Sequence, residues 1–116
     1  MRVLGVVGSR KFPNLAAVDK WVRENAPHFD HFVSGGADGP DTAALIAWRE
    51  IKGTGHDTVY KADWDRYGKG AGFLRNVKII EKGTFFGVFW TDHTHGTLDD
   101  LGLLFASGKP FNLYVR

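Results

Sequence analysis

The trio Gly8-Ser9-Arg10 has the residue types of a phosphate-binding turn. Glycine permits close backbone approach, Ser9 offers a hydroxyl, and Arg10 offers a guanidinium fork that matches phosphate oxygens. A second stretch, Ser34-Gly35-Gly36-Ala37-Asp38-Gly39-Pro40-Asp41, leads from an apolar run into a helical one. Such a loop gathers unpaired N–H groups at the positive end of a helix dipole, where anions bind. Asp38 could accept ribose hydroxyls, and Asp41 suits the helix N-cap. The spacing is neither Gly-x-Gly-x-x-Gly nor a P-loop, so neither nucleotide fingerprint applies.

A third stretch, 62–76, interleaves Asp63, Trp64, Tyr67, Lys69, Arg75 and Asn76 with three glycines. Between Lys61 and Lys78 five basic residues stand against two acidic ones. Trp64 and Tyr67 could stack on a base while Lys69 and Arg75 meet phosphates. Asp63 and Asp65 could hold Mg²⁺ beside a nucleotide, although turn capping accounts for them more simply. Gly96 and Thr97 open a further helical stretch and could present an N–H and a hydroxyl to a phosphate. Helix capping by Thr97, with Asp99 and Asp100 complementing the dipole, explains the same residues. His93-x-His95 lacks a thiolate or a clear carboxylate third ligand, so no metal is expected. No cofactor is expected either, and no Ser-His-Asp arrangement is legible.

The elements that must position these residues alternate along the chain. Apolar runs at 2–7, 31–33, 58–61, 85–90 and 110–115 read as strands. Between them, three- and four-residue spacings predict helices from Pro13 to Pro27 and over 42–51, 70–82 and 97–106. In the third of these, Phe73, Val77 and Ile80 are expected to face inward. Five strands alternating with four helices imply crossovers and a mainly parallel sheet covered on both faces. The expected fold class is α/β, a minimal Rossmann-like three-layer sandwich. With no internal repeat, low-complexity tract or linker, a single domain over 1–116 is expected. Ligands of such sheets bind beyond the carboxyl ends of the strands, where the strand order reverses. Gly8, the Gly35–Gly39 loop, the 68–72 segment and Gly96 all fall at those ends.

Composition narrows the classes further. Of 116 residues, 43% are hydrophobic and 24% charged, which excludes wholesale disorder. The net charge of +2 is too mild to imply a nucleic-acid partner by itself. Cysteine is absent, which removes disulfides, thiolate metal sites and thiol nucleophiles and fits a reducing, cytoplasmic setting. The apolar run at the N-terminus meets Ser9-Arg10-Lys11 too soon for a signal peptide, and no run is long enough to cross a membrane. Exposed aromatics such as Trp64, Phe73 and Phe111 could support a homo-oligomer.

Taken in order, Gly8-Ser9-Arg10, Ser34–Asp41, Ala62-Asp63-Trp64, Gly68-Lys69-Gly70-Ala71-Gly72, Arg75-Asn76 and Gly96-Thr97 span nearly the whole chain. This order resembles the YspA/YpsA-related branch of the SLOG superfamily, found in bacteria and their phages. The resemblance implies a Rossmann-like domain that binds a nucleotide or nucleotide-derived small molecule, as a sensor or sequestering module. Two related groups imply alternatives. Lonely-guy phosphoribohydrolases carry an arginine matched here by Arg75 and a Gly-Thr-x-x-acid segment matched by Gly96 to Asp100. That match implies Arg75 and Asp100 as catalytic residues, although Thr94-His95 stands where those enzymes have paired glycines, and Asp100 replaces their glutamate. The DprA/Smf proteins share the Gly-Ser-Arg turn and the Ser34–Asp41 pattern and bind single-stranded DNA, which makes nucleic acid the alternative partner.

Overall fold

The apolar run behind Arg2 forms strand β1, Val3–Gly8, and its alternation decides both faces of the sheet. Leu4 and Val6 pack into one core cluster, while Val3 and Val7 pack into the other. Successive side chains of a strand point to opposite faces, and a strand apolar on both sides belongs in the middle of a covered sheet. That is where β1 lies. The structure, a computed structural model, describes residues 1–91 and 95–115, apart from the side chains of Lys69 and of residues 95–100.

The chain continues through helix α1, Leu15–Asn25, strand β2, His31–Ser34, and helix α2, Pro40–Lys52. Strand β3, Asp57–Val59, and a four-residue helix α3, Trp64–Tyr67, follow. Helix α4, Ala71–Lys82, strand β4, Phe85–Trp90, helix α5, His95–Ser107, and strand β5, Phe111–Val115, complete it. The five strands form one sheet in the order β3-β2-β1-β4-β5, with every pairing parallel. The expected α/β sandwich is therefore present, with an all-parallel sheet and a fifth, short helix where a loop was expected. Asp63 creates that helix by accepting a hydrogen bond from the Arg66 N–H at 3.2 Å.

On one face α1 and α2 enclose Phe12, Trp21, Phe32, Trp48 and Phe89. Burial of both indoles is made affordable by partners: Trp48 Nε1 donates to the His56 carbonyl and Trp21 Nε1 to Asn112 Oδ1, each at 3.0 Å. On the other face α4 and α5 cover Val33, Ile79, Ile80, Phe86, Val88 and Leu104. Phe73 does not join this cluster. It is 45% exposed, because the helix turns Ala71, Ile79 and Ile80 inward and leaves Phe73 off the centre of that face.

The strand order sets the site. Chain growth runs outward from β1 through β2 to β3, then returns to the other side of β1 for β4 and β5. The reversal lies between β1 and β4, so the crevice opens where the loops after those two strands part.

Candidate functional site

At the carboxyl end of β1, Gly8 lies close against β4: a Cβ there would stand 2.7 Å from the Phe89 carbonyl oxygen. Ser9 is buried and ties the turn, its N–H donating to that carbonyl at 2.9 Å. Its hydroxyl oxygen accepts from the Lys11 N–H at 3.3 Å and from Thr91 Oγ1 at 3.0 Å, bridging the two loops of the switch point. Arg10, by contrast, is exposed. Of the Gly8-Ser9-Arg10 trio, the first two residues build the turn and the third faces outward.

The loop after β2 folds around an internal anion. Gly36 and Gly39 have φ of +70° and +81°, the left-handed region that glycine occupies without strain. This reversal carries the loop over Asp41, whose carboxylate accepts from the Ala37 N–H at 3.1 Å. Asp41 is therefore not the N-cap of α2. Gly39 holds that position, and Asp41 turns back from the first helical turn into the loop. Burial pushes the Asp41 carboxyl up to about 6, against the opposing pull of the Ala37 and Gly35 N–H groups and of the Arg75 and Arg10 guanidinium groups. Asp38 stays exposed at the loop's tip. A valine at Gly36 would be strained and would put its Cβ 2.6 Å from Val59 Cγ1. Gly36→Val thus perturbs the loop itself and is no clean test of phosphate access.

Arg75 reaches this loop from α4, forty positions away in sequence, and donates through Nη1 to the Gly35 carbonyl at 2.9 Å. A Cβ at Gly35 would stand 2.5 Å from that guanidinium nitrogen, so the absent side chain makes room for the arginine. Gly39 likewise packs against the Arg10 carbonyl oxygen, which a Cβ would approach to 2.6 Å. The β1 loop, the β2 loop and α4 are thereby brought together around Gly35 and Asp41.

The segment after β3 supplies the aromatic side of the site. Trp64 and Tyr67 are 49% and 47% exposed, and the Arg66 guanidinium lies 5.2 Å from the Tyr67 ring centre. Trp64 stands beside Gly72 at the start of α4. Asn76 is half-buried one residue beyond Arg75. Asp63 caps α3, as turn capping had suggested. The Lys69 side chain, Asp92 to Thr94 including His93, and the side chains of His95, Gly96, Thr97 and Asp100 lie outside the described residues. Helix α5 begins at His95, ahead of the expected Thr97. Among the exposed aromatics expected to support self-association, Phe111 is half-buried against Phe105, whereas Trp64 and Phe73 are exposed.

Sequence reasoning assigned no role to Trp90 and none to the Ser34 hydroxyl. Among the described residues, the buried side-chain polar atoms without a hydrogen-bond partner are Ser34 Oγ, Arg75 Nε and Trp90 Nε1. Ser34 ends β2, Trp90 ends β4, and Arg75 lies over Gly35, so all three fall at the carboxyl edge. Buried polar groups are ordinarily paired, and each of these atoms marks a place where a water or a polar ligand atom would be held. No residue spacing announces this, because Ser34 and Trp90 end strands that only the sheet order sets on either side of β1. Among the described residues, no group of three His, Asp or Glu side chains is arranged to hold a metal, and no helix is long and apolar enough to cross a membrane.

No protein-family model matches the chain, nor does any curated protein sequence. Solved structures do. DNA processing protein A from Helicobacter pylori, described for its mode of single-stranded DNA binding, superposes with a TM-score of 0.75 at 17% identity. That alignment covers 97% of this chain and 64% of the other. DNA processing protein A from Streptococcus pneumoniae gives a TM-score of 0.76 at 19% identity, covering 99% of this chain and 50% of that one. The chain thus spans roughly half to two-thirds of the length of these proteins. The likeness is to the Rossmann-like fold of DNA processing protein A and does not single out the YspA/YpsA-related branch.

Proposed function

We propose that this chain binds single-stranded nucleic acid across the carboxyl edge of its sheet. The observation that carries this reading is the exposed pair Trp64 and Tyr67: Arg66 lies over the Tyr67 ring, Lys61, Arg75 and Lys78 share a groove with Tyr67, and Trp64 and the Arg75 guanidinium meet beside Gly72. Single strands are held by aromatic faces on which bases stack and by cations that follow the backbone. Neither group needs to recognise sequence, and a modest net charge suffices when the cations are gathered on one side. The fold shared with DNA processing protein A, whose Helicobacter pylori form binds single-stranded DNA, supports the same reading.

A free nucleotide is the second reading. The unpaired Nε of Arg75, whose guanidinium is held at the glycine-rich loop after β2, favours it, since a single phosphate would suit that position.

Fluorescence anisotropy with a labelled oligothymidylate of about 20 nucleotides separates the two, because a single strand occupies ~4–16 nucleotides on one such platform. Binding should weaken linearly with the logarithm of salt concentration. Trp64→Ala should cost roughly 5- to 150-fold, the equivalent of ~1–3 kcal/mol for one lost stack. Saturable calorimetric binding of a nucleoside monophosphate, with no gain for the longer strand, would establish the second reading in place of the first.

A further inference from the structure

A groove of about 300 Å³ runs down the outer flank of α4, between that helix and the segment that follows β3. Helix α4 starts at the carboxyl edge and leads away from it. Ten residues separate Ala71 from Glu81, so the groove extends ~15 Å below the site described above. Its walls are apolar, formed by Tyr67, Leu74 and Val77. Lys61, Arg75 and Lys78 supply positive charge, with Arg75 at the end shared with the site above, and Asp63 and Glu81 supply two carboxylates. Its volume is at the low end for ligand pockets, which span ~300–1,000 Å³, and suits one flat ring system better than a length of chain.

The carboxylates decide what that ring can be. A bound strand brings phosphates, which Lys61 and Lys78 attract and which Asp63 and Glu81 repel. Carboxylates in such a groove are favourable only opposite hydrogen-bond donors. Asp63 already commits one oxygen to the Arg66 N–H, while Glu81 is exposed near the groove's far end. An ionised carboxylate accepts and cannot donate, and its two oxygens match two adjacent N–H donors. Guanine presents such a pair on its Watson–Crick edge, the ring N1–H and the exocyclic amine, and single-stranded bases are read on that edge. Thymine sets one N–H between two carbonyl oxygens, which a carboxylate would repel.

We infer that this groove is a base-reading subsite that seats one guanine of the bound strand, with Glu81 accepting from its N1–H and amine. Tyr67 and Leu74 form the walls of the slot, and Lys61 and Lys78 hold the flanking phosphates. The inference rests on the single-strand reading above and adds a sequence preference to it.

The test uses labelled oligothymidylates of one length, carrying at the centre thymine, guanine or hypoxanthine, which is guanine without its exocyclic amine. One central guanine should tighten binding about tenfold over the all-thymine strand, within the range of a two-donor base contact. Hypoxanthine should lose most of that gain, and Glu81→Gln should reduce the guanine strand to the affinity of the all-thymine strand. Equal binding of the three strands would overturn the subsite and leave single-strand binding standing. A guanine preference that survives Glu81→Gln would also overturn it. Failure of every strand to bind would remove the single-strand reading and this inference together.

Discussion

Acidification from pH 7 to pH 5 should stabilise this fold through one buried carboxyl, Asp41. Its ordinary value of 3.8 is pushed up to about 6, chiefly because the carboxylate is taken out of water. The folded chain therefore takes up a proton at higher pH than the unfolded chain does. The resulting stabilisation is fully present below 3.8 and is lost as pH rises through 6. Its full size is about 3 kcal/mol, from 1.36 kcal/mol for each pH unit separating the two values. Between pH 7 and pH 5 the gain is about 1.3 kcal/mol, from the ratio of proton binding in the folded and unfolded states. Urea denaturation of the wild type and of Asp41→Asn at both pH values, at one ionic strength, measures it. Asparagine keeps an oxygen for the Ala37 N–H and cannot ionise, so other titrating groups cancel in the comparison. Asp57, for example, is held below the usual carboxylate range by its hydrogen bonds from Arg49, and its own stabilisation fades only at more acidic pH. Equal pH dependence in both proteins, or a wild type that loses stability toward pH 5 relative to Asp41→Asn, would refute the burial argument.

Two glycine substitutions should move stability in opposite directions. Gly39→Ala forces a side chain into the left-handed region and to within 2.6 Å of the Arg10 carbonyl oxygen. It should therefore cost at least ~1–2 kcal/mol in urea denaturation. Gly102→Ala adds a methyl in open space within α5 and should gain ~0.5–1 kcal/mol; a loss there would contradict the geometry of that helix. Arg10→Ala removes an exposed cation at the β1 loop. It should weaken oligonucleotide binding by about 10- to 150-fold and reduce the salt slope by ~1, with stability changed by less than ~0.5 kcal/mol. An unchanged salt slope would remove Arg10 from the interface.

The layers of the fold are legible in the residues because they depend on local pattern. The continuous burial of Val3 to Val7, with side chains alternating between the two cores, and the apolar stripe of α4 follow from strand and helix geometry acting on local sequence. The α1 start shows how far this reaches and where it stops. Pro13 marked the region, yet the helix begins at Leu15, because Asn14 accepts from the Ala17 N–H and so fixes the first turn. Phe73 has a spacing compatible with the core, yet α4 turns Ala71, Ile79 and Ile80 inward, since a loose apolar periodicity leaves open which residues take the centre of the buried face. The Ser34–Asp41 loop is legible as a glycine-rich turn from strand to helix, while the task of Asp41 within it is not. A carboxylate in the first turn of a helix usually caps that helix or complements its dipole. This one instead turns back to a loop closed by two positive-φ glycines.

Residue types and their local order determined by themselves the alternation of strands and helices, the glycine-rich turns at one edge and the cations and rings beside them. Only the tertiary structure decided the strand order, the meeting of Arg75 with Gly35, the exposure of Trp64 and Tyr67, and which buried polar atoms of Ser34, Arg75 and Trp90 stay unpaired. The physical reason is range. Hydrogen bonds within helices and turns link residues a few positions apart and leave a signature in spacing. The Arg75 to Gly35 contact spans forty positions and exists only because crossovers set β1 and β2 beside one another under α4.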